Sequence, residues 1–571
     1  MSDKSIRVVL CWHMHQPYYY NGESGNYILP WTYLHATKDY IDMANIIANQ
    51  PGAKAVINFA PILLEQLDDY TKQINAYVDS GKQINDPLLM QLVANDIPTR
   101  SEEQKTLIAA CLRANDTHLI NRYPVFKGLA EMGRSALKDP KLLPYLQAQF
   151  YFDLLTWYHI AWLGETVKRE NKVARALIER ASQFGVEERH QLLLLIRDII
   201  NSIIPKYRAL AAQGQVELAF SPYAHPIIPL MLDFGSARDA MPNVKLPKHD
   251  CYPGGEERCA WHFKQGLKSF EQHFNHRPRG CWPSEGSISA ETLRLCEKFE
   301  IEWVASGESV MRNSIGQSPA IMHLLEGHCL HRQFHLKDNN VSLFFRDDGL
   351  SDLIGFTYSS WHANDAVNNL IHHLENIAEA CEYDADTIVP IILDGENAWE
   401  YYPENGFHFL SALYAKLVQH PRLNLCTFSD CIDAATGRMQ LDKIAAGSWV
   451  YGTFSTWIGE KDKNNGWDLL VSAKQTFDKV VSNRKLSAEQ QEAAEKQLAI
   501  CEGSDWFWWF GDYNPADSVK SFEQLFRVQL TTLYHLLGEE VPQELNQVIS
   551  SGSGAPAAGG VMRPGQEGHP H

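Results

Sequence analysis

The stretch Thr387–Glu400, TIVPIILDGENAWE, constrains this chain more than any other. Ile388 to Leu393 is a near-continuous apolar run rich in β-branched residues. Such a run reads as a strand covered on both faces, the environment of a parallel sheet flanked by helices. It stops at Asp394-Gly395-Glu396-Asn397, where two carboxylates, a permissive glycine and an amide follow at once. Chemistry in α/β barrels and open sheets collects at the carboxyl ends of strands. A helix cap built on Asp or Asn leaves the same trace. A second stretch of the same design favours chemistry: Gly280-Cys281-Trp282-Pro283-Ser284-Glu285-Gly286-Ser287.

Further strands are expected at Ile6–Trp12, Ala53–Phe59, Gln215–Phe220, Arg279–Trp282, Glu302–Ala305 and Ser342–Arg346. Helical periodicity separates them, which predicts a parallel sheet closed or nearly closed into a barrel. Residues 60–212 are helical by period and too long for one crossover, so they read as an insertion folded over one end of the barrel. Pro205 predicts a kink in its clearest helix, Glu188–Leu210. The expected division is a catalytic barrel over 1–430, a helical domain over 431–549 that completes the cleft, and a disordered Gly/Pro/Ala/Ser tail over 550–571. Ser487 and Gln490 predict a capping box.

Composition excludes several classes of function. A formal charge of −18 argues against a nucleic-acid partner. The first ten residues read as a strand and not a signal peptide, and no run is long enough to span a membrane. Eleven cysteines, an odd and scattered set without a CxxC pair, suggest reduced thiols and a cytoplasmic location.

Glu285 and Asp394 each follow a buried strand beside a glycine and a tryptophan (Trp282, Trp399). Two such carboxyl groups suit retaining glycoside hydrolysis, which needs them about 5–5.5 Å apart, one as nucleophile and one as acid/base. Two cap or salt-bridge carboxylates are the plainer reading. His13 and His15 share one face if the first strand persists that far. They suit either sugar hydroxyls or a metal completed by Asp347, Asp394 or His225. Of the block Trp506-Phe507-Trp508-Trp509, one member is expected at the site, because flat rings stack on sugar faces.

These segments, taken together and in order, resemble glycoside hydrolase family 57. His13-Met14-His15-Gln16-Pro17, Gly214–Glu217 with Ser221–Leu230, Cys281–Glu285, and Leu393–Asn397 look like its first four regions. Gly447–Trp449, Phe454–Gly459 and Gly503–Trp509 look like its C-terminal aromatic regions, and the amylase and amylopullulanase-like branch is the nearest match. The resemblance implies an incomplete (β/α)7 barrel followed by a helical domain, acting on α-glucans by a retaining mechanism without a required metal or other cofactor. It implies Glu285 as nucleophile and Asp394 as general acid/base. It further implies His13, His15, Glu217, Glu396 and Asp505 as sugar ligands, with Trp282 and Trp457 as stacking platforms. Pro283-Ser284 departs from the small residues expected before the nucleophile, and Pro283 restricts Trp282 to extended geometry.

The leading expectation is therefore an amylase-type α-glucan hydrolase working through a glycosyl–Glu285 ester on α-1,4 linkages, with α-1,6 linkages as a second option. A 4-α-glucanotransferase or branching enzyme would use the same site with a sugar hydroxyl replacing water. Outside that class stand a metal-dependent hydrolase, such as a polysaccharide deacetylase or a metal-using mannosidase, and a glucan-binding protein without turnover.

Overall fold

The structure, a computed structural model, describes residues 5–325, 330–483, 485–554, 561–563 and 565. One ten-stranded sheet organises it. In chain order the strands are β1 (Ile6–Met14), β2 (Ala55–Phe59), β3 (Val216–Phe220), β4 (Gly280–Cys281) and β5 (Trp303–Ser306). They continue as β6 (Gln333–Leu336), β7 (Ser342–Phe345), β8 (Ile388–Asp394), β9 (Leu423–Cys426) and β10 (Arg438–Leu441). Their spatial order is β8-β1-β2-β3-β4-β5-β7-β6-β10, with β9 beside the start of β1.

Seven parallel strands, β8 to β7 in that order, curl into an incomplete (β/α)7 barrel. β7 and β8 share no ladder among the described residues. Two bonds bridge the seam instead: Asp347 N to Pro390 O (2.8 Å) and Arg346 Nε to Ile392 O (2.8 Å). Pro390 has no N–H to offer a neighbouring strand, so the seam uses its carbonyl. β6 is the antiparallel exception, pairing through Phe334 and Leu343.

The barrel interior is filled by a discrete apolar cluster that includes Val9, Cys11, Val56, Ala219, Trp282, Trp303, Phe344, Ile388 and Ile392. Strand side chains alternate, so this list fixes which residues reach the barrel mouth. On β1 the inward series Val9, Cys11 continues to His13. On β8 the inward series Ile388, Ile392 continues to Asp394. The register places these two directly opposite on adjacent strands.

Eight α-helices occupy 61–212, ending in Val186–Ala212, which runs continuously through Pro205. The expected kink there leaves no break in the helix. Beyond the barrel, Lys461–Ser482, Ala488–Cys501 and Ala516–Leu537 pack together, and Ser487 with Gln490 forms the expected capping box. Of the tail expected to be disordered, 555–560, 564 and 566–571 lie outside the described residues. Of the rest, Gly565 bonds to Asp352 and Tyr451, and Arg563 stacks on Trp508 at 4.6 Å. No helix is long and apolar enough to cross a membrane. Among the described cysteines nine are free, all buried except Cys251, but Cys381 is disulfide-bonded, so uniformly reduced thiols do not hold.

Candidate active site

A cavity of about 230 Å³ opens at the carboxyl ends of the strands, where the barrel meets the helical regions. His13, His15, Glu285, Asp394, Glu396 and Asp505 all line it, although they come from four separate segments. A larger surface groove of about 1000 Å³, near Lys248, Lys479 and Glu544, contains none of them.

Each element delivers its group for a local reason. Gly395 carries β8 past the end of β1. A Cβ there would lie 2.4 Å from Met14 Sδ, and the Gly395 N–H donates to His13 O at 2.7 Å. Any larger residue would have to displace the Met14 side chain, and the close approach sets Asp394 beside His13. Glu285 follows the two-residue strand β4 on a single helical turn, with φ +59° and ψ +26°. A left-handed glutamate is uncommon and costs on the order of 1 kcal/mol, a cost that persists where surrounding structure enforces it. Here the Trp449 N–H donates to Glu285 O at 3.1 Å and fixes the turn.

The carboxylate of Glu285 is held at both ends. Trp449 Nε1 donates to Oε2 (3.1 Å) and Ser504 Oγ to Oε1 (3.3 Å). His225, also left-handed, stands behind, with Nδ1 3.0 Å from Ser504 Oγ. Asp394 accepts from Asn397 Nδ2 at 2.9 Å. Gln16 Nε2 donates to Glu396 at 2.7 Å, and His15 Nε2 bonds Asp505 at 2.8 Å. His13 Nδ1 is engaged by Asn58 at 2.6 Å.

Burial dominates the electrostatics. It pushes Glu285 up to about 8, helped by the charges of Asp505 and Asp394 and opposed by Trp449 and Ser504. It pushes Asp394 up to about 6, against Asn397 and the nearby His15 and Arg346. Glu396 is raised as well, again chiefly by burial. Burial drops His13 to about 3 and holds His225 well below its usual range, with neighbouring imidazoles adding to both. His13 and His225 are thus neutral, and the carboxyl pair keeps a proton near neutrality. In the empty pocket that proton rests on Glu285 rather than Asp394.

Aromatic walls complete the cavity. Trp31 and Trp162 sit 5.6 Å apart on one side, and Trp162 is the contribution of the helical insertion. Trp508, Trp509 and Phe522 line the other, with Trp509 stacked on Phe522 at 4.6 Å. Lys463, wholly buried, holds that wall by donating to Phe507 O, Phe510 O and the Tyr513 hydroxyl, each at 2.7 Å. Trp506 and Phe507 of the same block are core residues.

Three expected ligands are not brought to the cavity. Glu217 faces the barrel interior, but Ser221 occupies the mouth on β3, four residues or about 13 Å further along the strand. Both Glu217 oxygens are taken, by Trp303 Nε1 and by Ser429. Trp282 is fully buried in the barrel core, edge-on to Trp449 at 5.2 Å. Trp457 is fully buried behind Trp508. Of the metal set, Asp347 is absent from the lining, bonded to His331 and capping Leu350 N. His15, His225 and Asp505 form the grouping suited to a cation, with ligand atoms within 4.8 Å of one another. Sequence reasoning did not give Ser504, Trp449 or His225 a place around Glu285; only their position inside family-like segments hinted at one.

Comparison with protein families matches residues 9–444 to the model described as glycosyl hydrolase family 57. Among solved structures, a family 57 branching enzyme from Pyrococcus horikoshii superposes with a TM-score of 0.55 at 15% identity, covering 94% of this chain and 95% of that one. The α-amylase AmyC from Thermotoga maritima gives 0.56 at 12% identity, covering 95% of each. A branching enzyme from Thermococcus kodakaraensis, in complex with glucose, gives 0.55 at 14%, covering 96% and 94%. At these identities the likeness is one of fold. Comparison with curated protein sequences finds no match.

Proposed function

The chain belongs to glycosyl hydrolase family 57, and within it we propose a retaining α-glucan glycosidase of the amylase type. The observation that carries this reading is the convergence of Glu285 and Asp394 on one aromatic-walled cavity, with two donors already aimed at the Glu285 oxygens. Glu285 attacks the anomeric carbon and forms a glycosyl ester. Asp394 protonates the leaving oxygen, then takes a proton from the water that cleaves the ester. The indole of Trp449 and the hydroxyl of Ser504 stabilise Glu285 as an anion, the form needed for attack. Substrate binding therefore accompanies transfer of the pair's proton to Asp394. The other histidines and Glu396 supply hydrogen bonds to sugar hydroxyls, and the tryptophans supply flat faces. The cavity lies below the usual span of ligand clefts, about 300–1,000 Å³. It suits the sugar ring at the cleavage point, with the rest of the glucan extending outwards.

The test is incubation with maltoheptaose, following reducing ends and chain lengths together. New reducing ends with only shorter products are expected. Longer chains at constant reducing ends would replace hydrolysis by transfer on the same two carboxylates.

A further inference from the structure

The three imidazoles of the pocket form a stack. Ring centroids of His15 and His225 lie 4.0 Å apart at 22°, and His13 lies 5.0 Å from His225 at 19°. His225 is 1% exposed and Nε2 has no hydrogen-bond partner. Nδ1 is engaged by Ser504 Oγ, which also bonds Glu285 Oε1. In the tautomer that ligates, His225 Nδ1–H donates to Ser504 Oγ, the Ser504 hydroxyl donates to Glu285 Oε1, and Nε2 carries a buried lone pair. His15 shares a proton with Asp505 through Nε2, while its Nδ1 is also buried without a partner.

An imidazole nitrogen with its opposite edge fixed by a hydrogen bond is the usual form of a histidine that ligates a metal. His225 has that form, and with the second imidazole of His15 and the Asp505 carboxylate it makes an N₂O donor set, which suits zinc, copper and nickel and not magnesium or calcium. Asp394, the ionised member of the carboxyl pair, adds negative potential to the same cavity. We propose that His15, His225 and Asp505 bind one divalent cation of the zinc class, and that this ion and the glucan exclude one another. Binding releases no proton from His15: when Nε2 takes the metal, its hydrogen moves to the unpartnered Nδ1. The ion lies among the expected sugar ligands, so it acts as a reversible competitive inhibitor. The competition rests on the glucan reading above; the ion site itself does not.

The experiment is calorimetric titration of the full chain with zinc ion alone, then of the Glu285→Gln chain with and without saturating maltoheptaose. One ion per chain is expected, at least about tenfold weaker with the sugar present. His225→Ala should weaken zinc at least about tenfold, and Asp505→Asn likewise, each variant checked for an unchanged circular dichroism spectrum. His569→Ala with His571→Ala removes the terminal imidazoles of the sequence and should leave the titration unaltered. In turnover, zinc should raise KM for maltoheptaose at constant kcat, reversed by EDTA. Binding that survives His225→Ala, or disappears with the terminal histidines, overturns the site. Zinc that binds alongside the sugar, or is required for turnover, overturns the competition. A chain that binds zinc as expected but leaves glucans intact sinks the proposed function and spares the ion site.

Discussion

Two buried carboxylates lie close to the same short loop and have opposite fates. Glu502 accepts from Arg258 Nε and Nη2 at 2.8 Å each, from the Tyr252 hydroxyl at 2.5 Å, and pairs with His262 at 2.7 Å. Burial alone would raise it, but Arg258 and then His262 hold it down at about 2. Glu285, bonded to Ser504 only two residues after Glu502, has no cation against it and rises to about 8. One group is saturated and holds the two halves of the molecule together. The other is held only by two neutral donors, next to imidazole nitrogens and a Glu396 oxygen that have no partner. Buried polar groups are normally satisfied, so where a fold leaves several unsatisfied in one cavity, a ligand is the missing partner.

Four substitutions or titrations would break or sharpen that contrast. Glu285→Gln should reduce turnover by at least about 10⁴-fold while the fold persists; comparable kcat values would remove Glu285 from the chemistry. Glu502→Ala should act the other way round. It strips a buried arginine of its partner and should cost about 3–5 kcal/mol in denaturant unfolding, with specific activity of the folded fraction retained. An unchanged midpoint would show the network to be dispensable.

Acid titration should separate the two groups. The depressed Glu502 stabilises the fold above its unfolded value near 4.5 and loses that contribution, about 3 kcal/mol, as pH falls towards 2. Glu285 runs in the opposite sense, since its stability is fully present below 4.5 and is lost as pH rises to about 8. Glu285→Gln should therefore melt at a higher temperature than the wild type at pH 8, with the gap closing by pH 5. A gap independent of pH would show that the carboxyl is not desolvated. The smallest effect concerns rate. The Glu285–Asp394 pair should titrate with apparent values of about 6 and about 8. Activity should rise through the first and fall through the second. A profile flat from 5 to 9 would dissociate the pair from the chemistry.

Much of this arrangement was legible in the residues. Long strands such as β1 and β8 announce themselves by apolar runs, and both carboxyl groups of the proposed pair directly follow such runs. β4 is only two residues long, yet Glu285 could be found because its glycines and tryptophan punctuate the turn. β6, β9 and β10 were not expected. They are four residues each; β10, Arg438-Met439-Gln440-Leu441, alternates polar and apolar, but over too few residues to stand out from a loop. Glu217 shows the limit of periodicity, which gives the face of a strand and not the height along the barrel. Ser504 and His225 show another, since neither lies in a periodic segment and their meeting depends on how two loops dock.

The His15–Asp505 contact joins residues 490 positions apart. Nearly the whole polypeptide must therefore be made before the cavity exists. A chain interrupted between them carries one wall of the pocket and an incomplete site, so a ribosome-bound or proteolysed fragment should lack turnover. Two complementary fragments, cut in an exposed connection, would regain activity only by reassociating, which makes turnover itself a reporter of completed assembly.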